Sequence, residues 1–181
     1  MRSRTIARGL ALAGTAALAL SLSVSGATAG PGKAYGKLAA KQCAKERKAL
    51  GKATFGETHG KPAMPNCIGV VRNAATAEAR SAAKECRADG VNPGNGNAFG
   101  KCVTGKVNAE LTEDRQDRVN AAKECRAERD DSSFAATHGG MTFEEFYGSN
   151  ENRRNAFGKC VSGKAKAKPK PTKPTTPEPT S

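Results

Sequence analysis

Residues 97–106 read NAFGKCVTGK, and residues 155–164 read NAFGKCVSGK. Nine of the ten positions agree; Ser162 stands where the first copy has Thr104. A second shared motif lies upstream of each copy. Residues 82–88 and 121–127 both read AAKECRA, and AAKQCAKER at 39–47 matches AAKECRAER at 121–129. The chain therefore holds three copies of an opening motif, A-A-K-x-C, and two clear copies of a closing motif, N-A-F-G-K-C-V. A degenerate closing motif, Asn66-Cys67-Ile68-Gly69, completes the first unit. The units run over about 39–69, 82–106 and 121–164. Each carries one opening and one closing cysteine, separated by 24, 16 and 35 residues. Fixed ends around variable middles mark loops whose ends are tied.

The stretches joining the units read as helices. From Asn66 to Gly90 the interior is rich in Ala, the best helix former, with Asn66 a candidate cap and Gly90 a candidate stop. From Asn97 onward, Phe99, Val103, Val107 and Leu111 recur every four residues, and Val119, Ala122 and Cys125 continue near that face. Gly105 is a weak point in this run. Further helices are expected over Lys37 to about Lys48 and Asn155 to about Lys166. A closing Cys then sits near the start of a helix, and the next opening Cys near its end. In an up-and-down array the end of each helix lies beside the start of the next. Cys43 then pairs with Cys67, Cys86 with Cys102 and Cys125 with Cys160. Six cysteines allow about 15 pairings, and this sequential one is the pairing every unit can make identically. The predicted fold is all-α: disulfide-stapled, repeated helical hairpins. Asn97 and Asn155 are expected as caps, Phe99 and Phe157 beside the bridges, and Gly100 and Gly158 at close approaches.

The ends differ in composition from the middle. Arg2, Arg4 and Arg8 precede an apolar run from Leu10 to Val24, and Ala27-Thr28-Ala29 is a small-residue cleavage site. Residues 1–29 read as a secretory signal peptide. Residues 165–181, dominated by Lys, Pro and Thr, read as a disordered extended tail, either a solvated terminus or a wall-crossing or glycosylated stalk. The repeat region is 30–164. No stretch after the leader is apolar enough to span a bilayer. Removing the three leader arginines takes the formal charge from +13 to +10. Leu, Ile, Val and Phe number only 17 in residues 30–181, so apolar burial alone makes a marginal fold. Six cysteines in an exported chain supply the missing stability as disulfides.

Several stretches imitate catalytic or ligand motifs. Gly100 to Lys106 and Gly158 to Lys164 fit most of G-x4-G-K-[ST], but Val107 and Ala165 stand where a phosphate loop needs Ser or Thr. Gly-, Ser- and Asn-rich turns precede them in place of a strand, so no nucleotide and no other cofactor is expected. Zinc is not expected either: no C-x2-C pair exists, and thiols of an exported chain oxidise. His59 and His138 occupy equivalent places in Phe-x-x-Thr-His-Gly. They could form a metal or acid–base pair, but duplication of a turn explains them more simply. Glu110, Glu113, Asp114, Asp117, Glu144 and Glu145 alternate with Lys and Arg and read as solvated salt-bridged faces. No catalytic motif is found.

The pattern A-A-K-x-C-x-x-E-R … N-A-F-G-K-C-V, over residues 39–69, 82–106 and 121–164, resembles small exported proteins of high-GC actinobacteria, a group to which no activity is attached. The resemblance implies export and repetition, and no site. The positive charge is the one global functional hint. It favours a secreted, non-enzymatic binding or structural protein of the cell envelope or extracellular space, held to anionic wall polymers or other polyanions by dispersed Lys and Arg. A secreted toxin-like, antimicrobial or inhibitor protein is the alternative, and an enzyme working through His59 and His138 the third.

Overall fold

The structure, a computed structural model, describes residues 31–167; the leader (1–29) and all but the first residues of the expected tail lie outside them. Among the described residues there are six helices and no strand: α1 (Pro31–His59), α2 (Ala63–Ala88), α3 (Asn97–Arg129), α4 (Phe134–Thr137), α5 (Phe143–Tyr147) and α6 (Ala156–Ala167). The long helices run up and down. α1 packs on α2, α2 on α3, and α6 returns beside α3 and touches α1. The three bridges are Cys43–Cys67, Cys86–Cys102 and Cys125–Cys160. Each ties one long helix to the start of the next long helix, as the repeat predicts, including the degenerate first unit.

α3 is the spine. Its 33 residues span about 50 Å, and its two halves serve two cores. Val103, Val107 and Leu111 close the first core with Cys43, Phe55, Val71 and Cys86 of α1 and α2. Ala121, Ala122 and Cys125 close the second with Phe134, Phe143, Phe157 and Val161. Leu50 packs against both. Gly105 interrupts nothing; α3 runs through it.

Several boundaries differ from the sequence reading. α1 is longer than Lys37–Lys48 at both ends, and it kinks at Gly51, where φ 75° and ψ 163° suit only glycine. Helix resumes beyond the kink because Phe55 and Thr54 are buried there. Asn66 is no cap: α2 begins at Ala63, and the Asn66 Nδ2 donates to the His59 carbonyl at 2.9 Å, pinning the α1–α2 turn. Gly90, with φ 78°, does end α2. Asn97 already lies within α3, behind Gly96. The Asn155 side chain is used by the preceding loop instead: its Oδ1 accepts from the Ser149 N–H and its Nδ2 donates to Ser149 Oγ. Residues 165–167, read as tail, are the last turn of α6. α4 and α5 were not expected. A capping box starts α5, with the Thr142 hydroxyl accepting from the Glu145 N–H and the Glu145 carboxylate accepting from the Thr142 N–H.

The two closing motifs pack differently despite their identity. A Cβ at Gly158 would stand 2.9 Å from the Thr58 carbonyl oxygen, whereas one at Gly100 would meet nothing within 4 Å. Close approach is therefore needed at Gly158 alone. Gly158→Ala should cost about 1–3 kcal/mol by overpacking α6 against α1. Gly100→Ala should stabilise by about 0.5–1 kcal/mol through helix propensity. Urea denaturation of the two variants checks both signs. Each bridge closes a loop worth about 3–4 kcal/mol in the chain-entropy account. Replacing both cysteines of Cys125–Cys160 by Ser should lower the unfolding free energy by about that amount, read from the same curves.

Candidate functional site

The chemistry of this chain gathers around the bridges. In the second and third units the opening Cys is flanked by carboxylates one residue before and three after, at Glu85 and Asp89 and at Glu124 and Glu128. These positions are four apart and share a helix face. The last lysine of each closing motif reaches both. Lys106 Nζ lies 3.5 Å from Glu85 and 2.9 Å from Asp89. Lys164 Nζ lies 3.9 Å from Glu124 and 2.7 Å from Glu128. The Lys of the apparent phosphate motif is thus a clamp across a disulfide-linked helix pair, and the glycines around it are helical. The hydrogen bond from Lys106 to Asp89 holds the ammonium above its ordinary pKa. Glu128 is partly desolvated, which favours its acid form, but hydrogen bonds from Lys164 and Tyr147 outweigh this and lower its pKa. Tyr147, desolvated and donating to Glu128 at 2.9 Å, is pushed up to about 12.

The first unit departs from this scheme. Its flanking residues are Gln42 and Glu46, and Val71 stands where the other units have the clamping lysine. Both polar residues are fully buried, and α3 supplies their partners. Gln42 Nε2 donates to Asn108 Oδ1 at 3.2 Å and Thr112 Oγ1 at 3.1 Å, while its Oε1 accepts from Arg115 Nε at 3.0 Å. Glu46 Oε2 accepts from Arg118 Nε at 3.1 Å and Nη2 at 3.0 Å. Glu46 Oε1 lies 2.8 Å from His59 Nε2. The His59 ring is itself nearly enclosed and rests against Phe55, with centroids 4.7 Å apart. Among the described residues no buried side-chain nitrogen or oxygen lacks a partner. Burial alone would raise the Glu46 pKa; the His59 hydrogen bond and the Arg118 charge overcome it and the pKa falls.

His59 and His138 therefore part company. His138 stacks on Phe134 at 3.8 Å, and its Nδ1 sits 2.9 Å from the Phe134 carbonyl. The two belong to different cores and meet different aromatic partners, so the structure does not bring them together as a pair. The Cys67 sulfur, the His59 ring nitrogen and a Glu46 oxygen all lie within 4.8 Å of one another. Gln42, Glu46, Arg115 and Arg118 went unrecognised in the sequence. The signal was there: aligning the units by their cysteines shows Val71 in a lysine's place and leaves Glu46 without its usual cation.

Two open grooves expose the remaining face of the closing motif. One, about 640 Å³, lies between α1 and the start of α3 and is lined by Lys41, Asn97, Gly100, Lys101 and Thr104. The other, about 490 Å³, lies between the end of α1 and α6 and is lined by the equivalent Asn155, Gly158, Lys159 and Ser162, with Arg154 and Glu57 beside them. The fold and its bridges define an all-α protein of disulfide-stapled helical hairpins. No family model, curated protein or solved structure matches the chain. No helix among the described residues is long and apolar enough to cross a membrane.

A lowered carboxyl pKa means that the charged form stabilises the fold. The contribution of Glu46 is present above its ordinary value of 4.5 and is lost as pH falls through its depressed folded value. Glu46→Gln leaves Arg118 without a counter-charge and should cost on the order of 3 kcal/mol near neutral pH. It should also make the loss of stability on acidification shallower than in the wild type, measured by urea midpoints across an acid pH series.

Proposed function

We propose that the chain is an exported, non-enzymatic binding protein of the cell envelope or extracellular space that holds anionic polymers through Lys and Arg. The observation that carries this reading is the pair of open grooves lined by equivalent positions of the repeated closing motif, each with a lysine, a hydroxyl and an Asn side chain. A polymer repeats its charges, and two like grooves on one rigid frame meet such a ligand with avidity. The three bridges support export, since disulfides persist in oxidising compartments. The non-enzymatic reading draws on the buried cluster: Glu46 is pinned by Arg118 and His59, and every side chain there has a partner.

The alternative, a secreted antagonist of another protein, draws on the exposed Met141, just before α5, and Phe146 within it. Retention on isolated cell walls over a salt series separates the two. Binding should weaken steeply with salt, because screening acts on exposed charges, and Lys101→Glu with Lys159→Glu should weaken it at least tenfold at low salt. Retention that is indifferent to salt and to this double substitution would refute the polyanion reading. Loss of partner capture on changing Phe146, with wall retention absent, would favour the antagonist.

A further inference from the structure

The first unit differs from the other two in a way that points to a metal. Beside Cys86–Cys102 and Cys125–Cys160, lysines clamp the flanking carboxylates. Only beside Cys43–Cys67 does a histidine take that place, and among the described residues only there do His, Cys and Glu ligand atoms converge, all within 4.8 Å. Tetrahedral zinc with bonds of about 2.0–2.3 Å sets its ligand atoms about 3.5 Å apart; Glu46, His59 and Cys67 already lie near that spacing, and the Cys43 sulfur, 2.06 Å from that of Cys67 in the bridge, must swing in as the bridge opens. The surroundings also suit a metal. The Glu46 carboxylate is oriented by Arg118, which holds Oε2 at 3.0 and 3.1 Å and Oε1 more loosely at 3.4 Å, while Oε1 meets His59 Nε2 at 2.8 Å. Such outer partners hold first ligands in place at metal centres. Phe55 packs against the imidazole, with ring centroids 4.7 Å apart.

We propose that, when the Cys43–Cys67 bridge is reduced, Cys43, Cys67, His59 and Glu46 bind one Zn²⁺, so that this unit alternates between a disulfide and a zinc site. A dithiol reductant supplies two electrons and two protons. The S–S bond breaks, two thiols form, and the dithiol becomes its own disulfide. Zn²⁺ then displaces one proton from each thiol. His59 coordinates through Nε2 with its proton on Nδ1, and Glu46 through Oε1, which gives up its longer contact to Arg118 while Arg118 keeps its two on Oε2. The metal holds α1 to α2 where the covalent bridge did. This goes beyond the polyanion reading and does not depend on it.

The test uses the full-length mature chain, reduced with a phosphine that leaves no competing thiol, and Co²⁺ and Zn²⁺ as probes. The reduced chain should take up one equivalent of Co²⁺, with a thiolate charge-transfer band and tetrahedral visible absorption, while the oxidised chain shows neither. Cys67→Ser should abolish the band. His59→Gln should weaken metal binding at least tenfold, and Arg118→Leu should weaken it about tenfold or more. Zn²⁺ should slow alkylation of Cys43 and Cys67 at least tenfold relative to the other four cysteines, read by peptide mass mapping without any variant. Circular dichroism accompanies each sample. A reduced chain that has lost helix should regain it with metal. An unchanged band in Cys67→Ser, equal alkylation of all six cysteines, or a reduced chain that neither binds nor refolds with metal would each overturn the proposal.

Discussion

Covalent ties between neighbouring helices are the constraint on which this molecule depends. With 17 Leu, Ile, Val and Phe residues in the 152 from Gly30 to Ser181, the chain cannot bury the apolar surface that usually offsets conformational entropy. Three bridges, each worth about 3–4 kcal/mol in the loop-entropy account, together match the whole stability of a typical small domain. They also set the topology. Each ties one long helix to the start of the next, so the helices can only run up and down. The cores then need little volume: Ala, Val and the sulfurs themselves fill the contacts between α1, α2 and α3.

The second layer of order is electrostatic and sits on the same frame. A carboxylate pair around the opening Cys and a lysine four residues after the closing Cys form one cassette in the second and third units. These pairs are partly exposed and contribute modestly. The first unit replaces the lysine with Val71, and the consequence spreads. Glu46 and Gln42 are buried instead of solvated and must find partners elsewhere. α3 answers with Arg115, Arg118, Asn108 and Thr112. The result locks α1 onto α3, a contact that no bridge makes. The departures of the first unit, Val71 and Gln42 among them, thereby add to the asymmetry of a molecule built on a repeat.

The same asymmetry separates the histidines. Both follow Phe-x-x-Thr, and both end a short helical stretch. His59 faces a buried carboxylate because α1 bends at Gly51 and carries it back toward Glu46. His138 instead stacks on the Phe134 ring and meets Phe146 of α5 edge-on, with centroids 4.6 Å apart. Local sequence is equal at the two places; what differs is the element packed opposite.

The helices, their order and the three bridges were legible in the sequence because they rest on short-range facts: Ala-rich periodicity, turn glycines such as Gly90, and a repeat that every unit can close in the same way. The capping box at Thr142 and Glu145 was equally local and was there to be read. The kink at Gly51, the tight seat of Gly158 under Thr58, and the polar seam from Gln42 to Arg118 were not legible. Each depends on which residues some 70 or more positions apart meet across α1 and its neighbours, and on what burial then demands of them. Sequence by itself determined that this chain would be helical and stapled. Only the tertiary structure decided that one of its three staples would lie beside a buried carboxylate and an imidazole, because that arrangement requires α3 to bring its arginines to a charge the first unit cannot neutralise alone.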